Sequence, residues 1–459
     1  MKKHHLIVVC SLIFTLLFYG ESVGINLSVF GLVLTGFICY LSIDRFLDKT
    51  KLILILASVF SCAAFAWYGD FISFVALAFS LIFLQFKTRD PKLKMIQSVP
   101  LIVVNQFASI VRIFHFSQWL PERKTEHQLV KKLIAYFVLP SLFLTVFFIV
   151  YSFGSDHFSG LFSSLAVDVP QLFLIGLLGF YISFSYWNYW TPEYCYDFNS
   201  KLDNDFSSDR RTAQQQTFPF LDLDFERKSG EITLVLLNCM ILIFIGTYNY
   251  EQFFEKQAAV SLSAATHERV NAVIFSIVMA VGVMLFFFKS GFNFDKKAGN
   301  LKLLSKIWIV LNGVLICSTI IKNVEYVAAF GLTYKRLGVF AFLLLAIVGL
   351  SITFWKIYKQ KTNAYLFNQM IWYFYGTVLL CSFINWGNII TSYNISVNKG
   401  VESKFLCQLN FNDENRRDYF LLKQLNGGDV ELSRENEISD QQSKSVLSKA
   451  LYYEFISRK

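Results

Sequence analysis

The sequence contains little charge: Asp, Glu, Lys and Arg make up 16% of its 459 residues, whereas 54% are hydrophobic and 17% aromatic. Soluble domains carry roughly a quarter charged residues, so this composition argues against a set of ordinary soluble domains. The apolar residues occur in runs of about 17–22, the length that a helix needs to cross a bilayer core of roughly 30 Å. Because backbone polar groups cannot stay unpaired in lipid, we predict that these runs are helices.

Motifs for chemistry are also missing. The eight cysteines include no C-x-x-C pair, so neither a disulfide framework nor a zinc site is indicated, and no phosphate-binding or dinucleotide-binding glycine motif occurs. Residues 20–24 match G-x-S-x-G, but they form a turn between two apolar runs instead of a nucleophile elbow. An H-E-x-x-H motif is incomplete because Asn271 replaces its second histidine. We therefore predict no catalytic residue, no metal and no cofactor.

The basic residues predict a topology. The net charge of +9 does not indicate nucleic-acid binding, because lysines and arginines lie in the short loops between apolar runs. With a cytoplasmic N-terminus, the inner segments hold 27 of them, the outer loops hold 5, and the C-terminal tail holds 10. This asymmetry predicts a tail on the far side of the membrane. The eleven predicted spans are 5–20, 25–41, 51–67, 71–86, 133–152, 170–189, 231–248, 270–288, 304–321, 337–355 and 366–384.

The fold class is therefore an all-α integral membrane protein with about eleven transmembrane helices and a small helical tail. Within the tail, we expect one helix at 413–425 and another near 440–456. The predicted organisation is four spans in 1–86, a basic cytoplasmic segment 87–132, two spans in 133–189, a polar cytoplasmic loop 190–230, five spans in 231–394 and an extracytoplasmic tail 395–459.

Residues 99–116 admit two interpretations. Asn105, Ser109 and Arg112 follow an i, i+4, i+7 spacing and share one helix face, with apolar residues elsewhere. This pattern favours a helix lying on the inner membrane surface. The alternative is a further inserted segment, which would move lysine-rich loops to the outside against the charge rule.

Polar residues recur at the predicted outer ends of the last five spans. Acids, bases and aromatic residues there are compatible either with a ligand site or with an aromatic belt and snorkelling charges. The candidate outer cluster consists of His267, Glu268, Arg269, Glu325, Arg336 and Asn385.

Inside the spans, no Asp, Lys or Arg is predicted near the membrane centre, which argues against an ion-coupled transporter. The polar residues there are amides, which either bond neighbouring helices or line a solute path. These candidates are Asn238, Asn312, Asn368 and Gln369.

A resemblance follows from four short stretches. Residues 226–231 lead into a span, and residues 267–271, 330–333 with Arg336, and 385–386 follow. Across about 225–394 the chain resembles a bacterial multi-pass membrane family known only as a domain of unknown function, of the 4173 and 4153 types, although Phe330 stands where a tyrosine is expected. The resemblance implies a multi-pass bacterial protein with an exported tail, and it implies no reaction.

Three functional hypotheses follow. The first is a non-enzymatic component of the bacterial cytoplasmic membrane: a sensor, an assembly partner or an envelope scaffold. The second is a permease or lipid-handling transporter for an apolar or weakly polar solute. The third is a membrane enzyme that uses Glu268 or His267 as acid or base. The expected partners are the lipid bilayer and other membrane or envelope proteins, with no nucleic acid.

Overall fold

The computed structural model describes residues 2–41, 48–120, 136, 139–154, 168–207, 221–254, 259–289, 291–424 and 428–456. The regular elements in these ranges are helices, and no strand occurs among them. In chain order the helices are α1 (Lys3–Phe18), α2 (Ile25–Leu41), α3 (Lys49–Tyr68), α4 (Phe71–Arg89), α5 (Ser98–Arg112), α6 (Leu139–Gly154), α7 (Val169–Trp187), α8 (Glu193–Asn199), α9 (Leu223–Phe253), α10 (Ala259–Phe287), α11 (Gly299–Phe330), α12 (Tyr334–Tyr358), α13 (Asn363–Cys381), α14 (Trp386–Val397), α15 (Ser403–Cys407), α16 (Asp413–Lys423), α17 (Gly428–Ser443) and α18 (Tyr452–Phe455).

The chain divides into two compact units. The first contains residues 1–93, 97–192 and 437–459, and the second contains residues 94–96 and 193–436. In the first unit α1 packs on α7, and α3 packs on α2 and α4. In the second unit α9 packs on α11, and α11, α12 and α13 pack in sequence. The tail is divided between the units, because its residues up to 436 belong to the second and the rest to the first.

Seven helical segments in the described residues are long and apolar enough to cross a membrane. Five contain spans predicted above, and a sixth, Val169–Trp187, covers all but the end of the predicted span 170–189. The seventh is the segment from Met95 to Arg112, which includes α5. The seven are Lys49–Tyr68, Phe71–Arg89, Met95–Arg112, Val169–Trp187, Leu223–Glu251, Gly299–Phe330 and Tyr334–Tyr358.

The predicted count of eleven is not confirmed, because five predicted spans do not match a segment of this kind. Spans 5–20, 25–41 and 270–288 correspond to shorter apolar helices of 10–17 residues. Span 366–384 corresponds to α13, and the first residues of span 133–152 lie outside the described residues apart from position 136. The total number of spans therefore stays a prediction.

The helices of the first unit bury small polar residues and expose many apolar ones. In α3, Ser58 and Ser61 are fully buried, whereas Ile53 and Phe60 are more than half exposed. The buried hydroxyls bond to backbone carbonyls of their own helix. Such an arrangement leaves a large apolar surface, which soluble proteins avoid and which suits lipid.

Helix α5 also buries polar residues and exposes apolar ones. Its predicted polar face is real, but it lies against the end of α7. Asn105 exchanges hydrogen bonds of 2.7 and 2.9 Å with the backbone of Trp190, and Arg112 donates to the carbonyl oxygen of Asn188 at 2.9 Å. Because positions seven residues apart on α5 meet the same end of α7, α5 crosses that end. Its other face exposes Phe107 and Val111.

The tail contains more helix breaks than predicted. Helix α16 matches the predicted 413–425 segment, whose last residue lies outside the described ranges. The helix expected near 440–456 is displaced: α17 ends at Ser443, a 3-10 turn covers Val446–Ser448, and α18 holds four residues. The apolar residues after position 440 are not buried along one face, because Val446 and Phe455 are more than half exposed.

Candidate functional site

The tail residues of the second unit pack on the ends of its long helices. Leu406, Cys407 and Phe420 are buried in an apolar cluster that also includes Leu332 and Ile390. Leu332 lies two residues before the start of α12, and Ile390 lies in α14. The cluster therefore fixes α15 and α16 on the surface around these two positions.

A buried network of charges joins α16 to α17. The guanidinium of Arg416 is fully buried, and it contacts Asp413 at 3.2 Å and Glu435 at 2.9 Å. Arg434 reaches Asp413 at 3.1 Å, and Arg417 also pairs with Glu435. Removing one partner of a buried ion pair leaves an uncompensated charge, at a cost of about 3–5 kcal/mol. The network therefore couples α16 to α17.

Side chains from the long helices bind the backbone of the tail. Asn385 caps α14 through its Oδ1, which accepts from the amide of Asn388 at 3.0 Å, and its Nδ2 donates to the carbonyl oxygen of Phe411 at 2.9 Å. The amide of Asn410 donates to the hydroxyl of Tyr334 at 3.3 Å. Asn385 thus caps the N-terminus of α14 and also binds the tail.

Tail side chains complete the contact. Asn415 donates to Asn388 at 2.5 Å and to the hydroxyl of Ser392 at 2.9 Å. Asn412, which is almost fully buried, donates to the hydroxyl of Thr391 at 2.8 Å. We call the set that receives the tail the tail-docking surface; it consists of Leu332, Tyr334, Asn385, Gly387, Asn388, Ile390, Thr391 and Ser392.

The loop before α12 is held by Asn394 in α14. The Oδ1 of Asn394 accepts from the amide of Leu332 at 2.6 Å, and its Nδ2 donates to the carbonyl oxygen of Leu332 at 3.1 Å. These reciprocal bonds satisfy the backbone N–H and C=O groups of Leu332, which lies between α11 and α12. They also fix Leu332 where the apolar residues of the tail pack on it.

In the first unit, the last part of the tail packs on the turn of residues 20–24. The carboxylate of Glu21 accepts hydrogen bonds from the hydroxyls of Ser445 and Ser448, and the amide of Ser22 donates to Ser448 at 2.7 Å. The two hydroxyl donors, Ser445 first, hold the pKa of Glu21 below its usual value. The G-x-S-x-G match is therefore part of a docking contact.

Further contacts secure the same tail segment. The amide of Ile25 donates to the carbonyl oxygen of Lys449 at 3.1 Å, and the amide of Leu451 donates to the carbonyl oxygen of Ala66 at 2.8 Å. The ring of Phe455 stacks on Trp67 with a centroid separation of 5.3 Å. Backbone and side-chain groups therefore hold this segment together.

Three members of the predicted outer cluster, Glu325, Arg336 and Asn385, bond to groups outside the cluster. Glu325 is exposed and pairs with Lys322 at 3.8 Å on its own helix. Arg336 donates to the carbonyl oxygen of Gly331 and lies 4.1 Å from the centre of the Tyr326 ring. No hydrogen bond or ion pair in the described part of the chain joins Glu325, Arg336 and Asn385 to one another. His267, Glu268 and Arg269 fall in α10, and their side chains lie outside what the structure describes.

The amide candidates bond mainly to protein. Asn238 donates to the carbonyl oxygen of Leu304 at 3.1 Å, which connects α9 and α11. Asn312 is fully buried and donates to the carbonyl oxygen of Trp308 within its own helix. Asn368 holds the 202–204 loop, and Gln369 is half-buried. Helix bonding thus accounts for the donors, while the Oδ1 atoms of Asn238, Asn312 and Asn368 have no partner among the described residues.

Several residues that hold the tail were not predicted. Asn394 and Asn412 were missed because asparagine in a polar stretch resembles loop composition. The usable signal was their concentration after the last span together with a tail of ten acidic and ten basic residues. Balanced charge of this kind permits an internally paired layer, whereas a solvated linker needs no such balance.

These features define an all-helical protein with several helices able to cross a membrane and a tail that is folded against their ends. Residues 32–415 match the family described as a domain of unknown function, number 4153, so the chain belongs to that family. The match extends well before residue 225, where the resemblance in sequence was first placed. No curated protein and no solved structure matches the chain. The described residues contain no group of three or more His, Cys, Asp or Glu side chains that could hold a metal ion.

Proposed function

We propose that this protein is a non-enzymatic component of the bacterial cytoplasmic membrane that acts as an assembly partner or envelope scaffold. It crosses the membrane eleven times, with a cytoplasmic N-terminus and an extracytoplasmic tail, and α5 lies in the inner interface. The observation that carries the proposal is the tail-docking surface. Asn385, one of the candidate ligand-binding residues, binds tail backbone, and a folded tail presents a fixed surface to partners.

The charge asymmetry and the position of α5 support the topology. Asn105 and Arg112 meet the same end of α7, as expected for a helix that lies across the bundle at the interface. Its exposed Phe107 and Val111 then face acyl chains. With α5 in the interface, the remaining apolar helices supply the eleven crossings and keep the lysine-rich loops inside.

A partner-facing surface exists on the tail. Leu421 and Leu422, in the last turn of α16, are 66% and 80% exposed. Two adjacent exposed leucines form an apolar patch, and an apolar patch on a surface often marks a contact with another protein. They are close to the charge network, so their backbone is fixed before a partner arrives.

The test is the size of the assembly extracted from native membranes in a mild detergent, measured by native mass spectrometry. We expect a defined hetero-assembly that the pair Leu421→Ser and Leu422→Ser dissociates. Lys423→Ser is the matched control, because it changes the next position without removing apolar surface. A monomer of unchanged mass in both variants and in the parent protein would refute the proposal.

A second candidate is a permease for an apolar solute. A groove of about 290 Å³ runs beside α11 and α12 and is lined by Ile309, Gly313, Leu350, Phe354 and neighbouring apolar residues. The buried Oδ1 of Asn312 adds a free acceptor in the same helix. Unchanged solute flux in an Asn312→Leu, Asn368→Leu double variant would exclude this function.

A further inference from the structure

The second unit contains a polar pocket that the tail does not use. It has a volume of about 510 Å³, within the range typical of small-molecule sites. Lysines and aspartates share its wall: Lys94, Lys201, Asp203 and Asp205, with the hydroxyls of Ser207 and Thr362. These side chains place both signs of charge around one pocket.

The loop that carries the aspartates is held rigidly. Asn368 donates from its Nδ2 to the carbonyl oxygen of Leu202 and to the Oδ1 of Asn204, both at 2.8 Å. Thr362 donates from its hydroxyl to the carbonyl oxygen of Asp203 at 2.6 Å and from its amide to the carbonyl oxygen of Asn204 at 3.1 Å. The backbone is therefore fixed while the carboxylates stay available, which lowers the ordering cost of binding.

The charges in the pocket are paired, but the pairs are partly exposed to solvent. Lys94 contacts Asp203 at 3.0 Å, with the two side chains 32% and 57% exposed, and Lys361 pairs with Asp205, whose side chain is 55% exposed. Ion pairs at such exposure contribute roughly 0–1 kcal/mol. A ligand can therefore replace them at small cost if it offers charges of both signs.

The chemistry selects the ligand class. Asp203 and Asp205 would repel an anion that carries no positive charge. Lys94 and Lys201 would repel a cation that carries no negative charge. A zwitterion with separated charges satisfies both pairs. A phosphate uses the lysines and the hydroxyl of Ser207, since it has several acceptor oxygens. A primary ammonium fits the carboxylates because it donates three hydrogen bonds.

The position of the pocket favours a membrane ligand. Trp355 and Tyr358, in the last turn of α12, are 47% and 61% exposed, as in the aromatic belts that mark the headgroup level. Lys361 and Thr362 follow immediately. We propose that the Lys94, Lys201, Asp203 and Asp205 pocket binds a zwitterionic ligand with a phosphate and a primary ammonium, either the headgroup of phosphatidylethanolamine or free phosphoethanolamine.

The experiment uses the full chain in two settings. Calorimetry in detergent measures binding of phosphoethanolamine, phosphocholine, ethanolamine, inorganic phosphate and Ca²⁺. Thermal unfolding in nanodiscs compares phosphatidylethanolamine with phosphatidylcholine and phosphatidylglycerol. Saturable binding of phosphoethanolamine in detergent indicates the free molecule as sufficient, whereas stabilisation confined to phosphatidylethanolamine nanodiscs indicates the lipid; either result supports the site.

Variants assign the effect to the pocket. Asp203→Asn and Lys94→Gln should each weaken binding about tenfold or more, because each removes a charged hydrogen-bonding partner. The matched control is Asp440→Asn with Lys444→Gln, an ion pair at 3.2 Å between Asp440 of α17 and the residue that follows this helix. An unchanged unfolding temperature without ligand shows that the pocket variants are folded. Equal binding of phosphocholine or inorganic phosphate, binding of Ca²⁺ instead, or no binding in either setting would overturn the assignment.

Discussion

A Cβ atom added to Gly387 would overlap the carbonyl group of Asn410 and approach its carbon to 2.9 Å. Gly387 lies in the first turn of α14, and Asn410 lies in the tail between α15 and α16. The two backbones are therefore in direct contact, with no room for a side chain. A tail that rested loosely on the helices would not require glycine at this position.

Gly387→Ala should release the tail residues of the second unit. Its methyl group meets fixed backbone, so we expect a cost of about 1–3 kcal/mol or more. The measurement is the rate at which a maleimide labels Cys407, a tail residue that is buried in the docked state, in a chain whose other cysteines are replaced. Labelling should accelerate about tenfold or more, since about 1.4 kcal/mol corresponds to tenfold.

Gly376→Ala is the control for that variant, because a Cβ there meets no atom within 4 Å. It should label at the parent rate. If Gly387→Ala also labelled at the parent rate, the contact between α14 and the tail would not be needed for docking.

Arg416→Met should destabilise the layer formed by α16 and α17. The substitution leaves Asp413 and Glu435 with one partner fewer in a buried site, so the expected loss is about 3–5 kcal/mol. Limited proteolysis of the tail in membranes measures it, and Lys423→Met, an exposed change on the same helix, should have little effect. Equal protection of the two variants would show that the charge network is dispensable.

Docking of the last tail segment should weaken in acid. Hydrogen bonds from Ser445 and Ser448 lower the pKa of Glu21, so docking favours its charged form. The stabilisation is complete above the ordinary glutamate pKa and is lost as the pH falls through the lower docked value. Accessibility of a cysteine at position 450, where the native alanine is buried, should rise below about pH 4, and Glu21→Gln should remove the pH dependence. A pH-independent parent protein would contradict this coupling.

Asn105→Leu should destabilise the first unit. The side chain makes two hydrogen bonds with the backbone of Trp190, and their loss leaves buried polar groups unsatisfied, at about 1–3 kcal/mol each. Thermal unfolding in detergent measures the change. Val103→Leu, on the exposed face of α5, should leave the midpoint near that of the parent. The opposite order of effects would place the polar face of α5 away from α7.

The sequence was sufficient for the helical class and for most long helices, because apolar length is a direct physical requirement of the bilayer. It identified the shared face of Asn105, Ser109 and Arg112, but not its direction. In water such a face points outward, whereas here it bonds to the end of α7. Helix periodicity alone does not distinguish these two cases.

The candidate site was harder to predict for a similar reason. Arg336 and Asn385 were selected as candidate site residues, and in the structure both donate hydrogen bonds to backbone carbonyl oxygens: Arg336 to Gly331 and Asn385 to Phe411. A sequence shows that a polar side chain needs a partner, but it does not show that the partner is a distant stretch of the same chain. The irregular path after Ser443 was missed because backbone contacts with Ile25 and Ala66 have no side-chain pattern.

The central claim is that the tail is docked on the tail-docking surface outside the cytoplasm. Its most direct test places cysteines at Asn388 and Asn415, whose side chains are 2.5 Å apart, in a chain whose eight native cysteines are replaced. A short, membrane-impermeant bis-methanethiosulfonate is added to spheroplasts whose cytoplasmic membrane is intact. The comparison pair is Asn388 with Lys423, because Lys423 lies roughly 12 Å further along α16.

We predict that the 388–415 pair is cross-linked in most molecules and the 388–423 pair in few, as measured by mass spectrometry of the linked peptides. Equal yields for the two pairs would show that the tail moves freely. Linking that occurs only after the cytoplasmic membrane is permeabilised would place the tail on the other side and contradict the account.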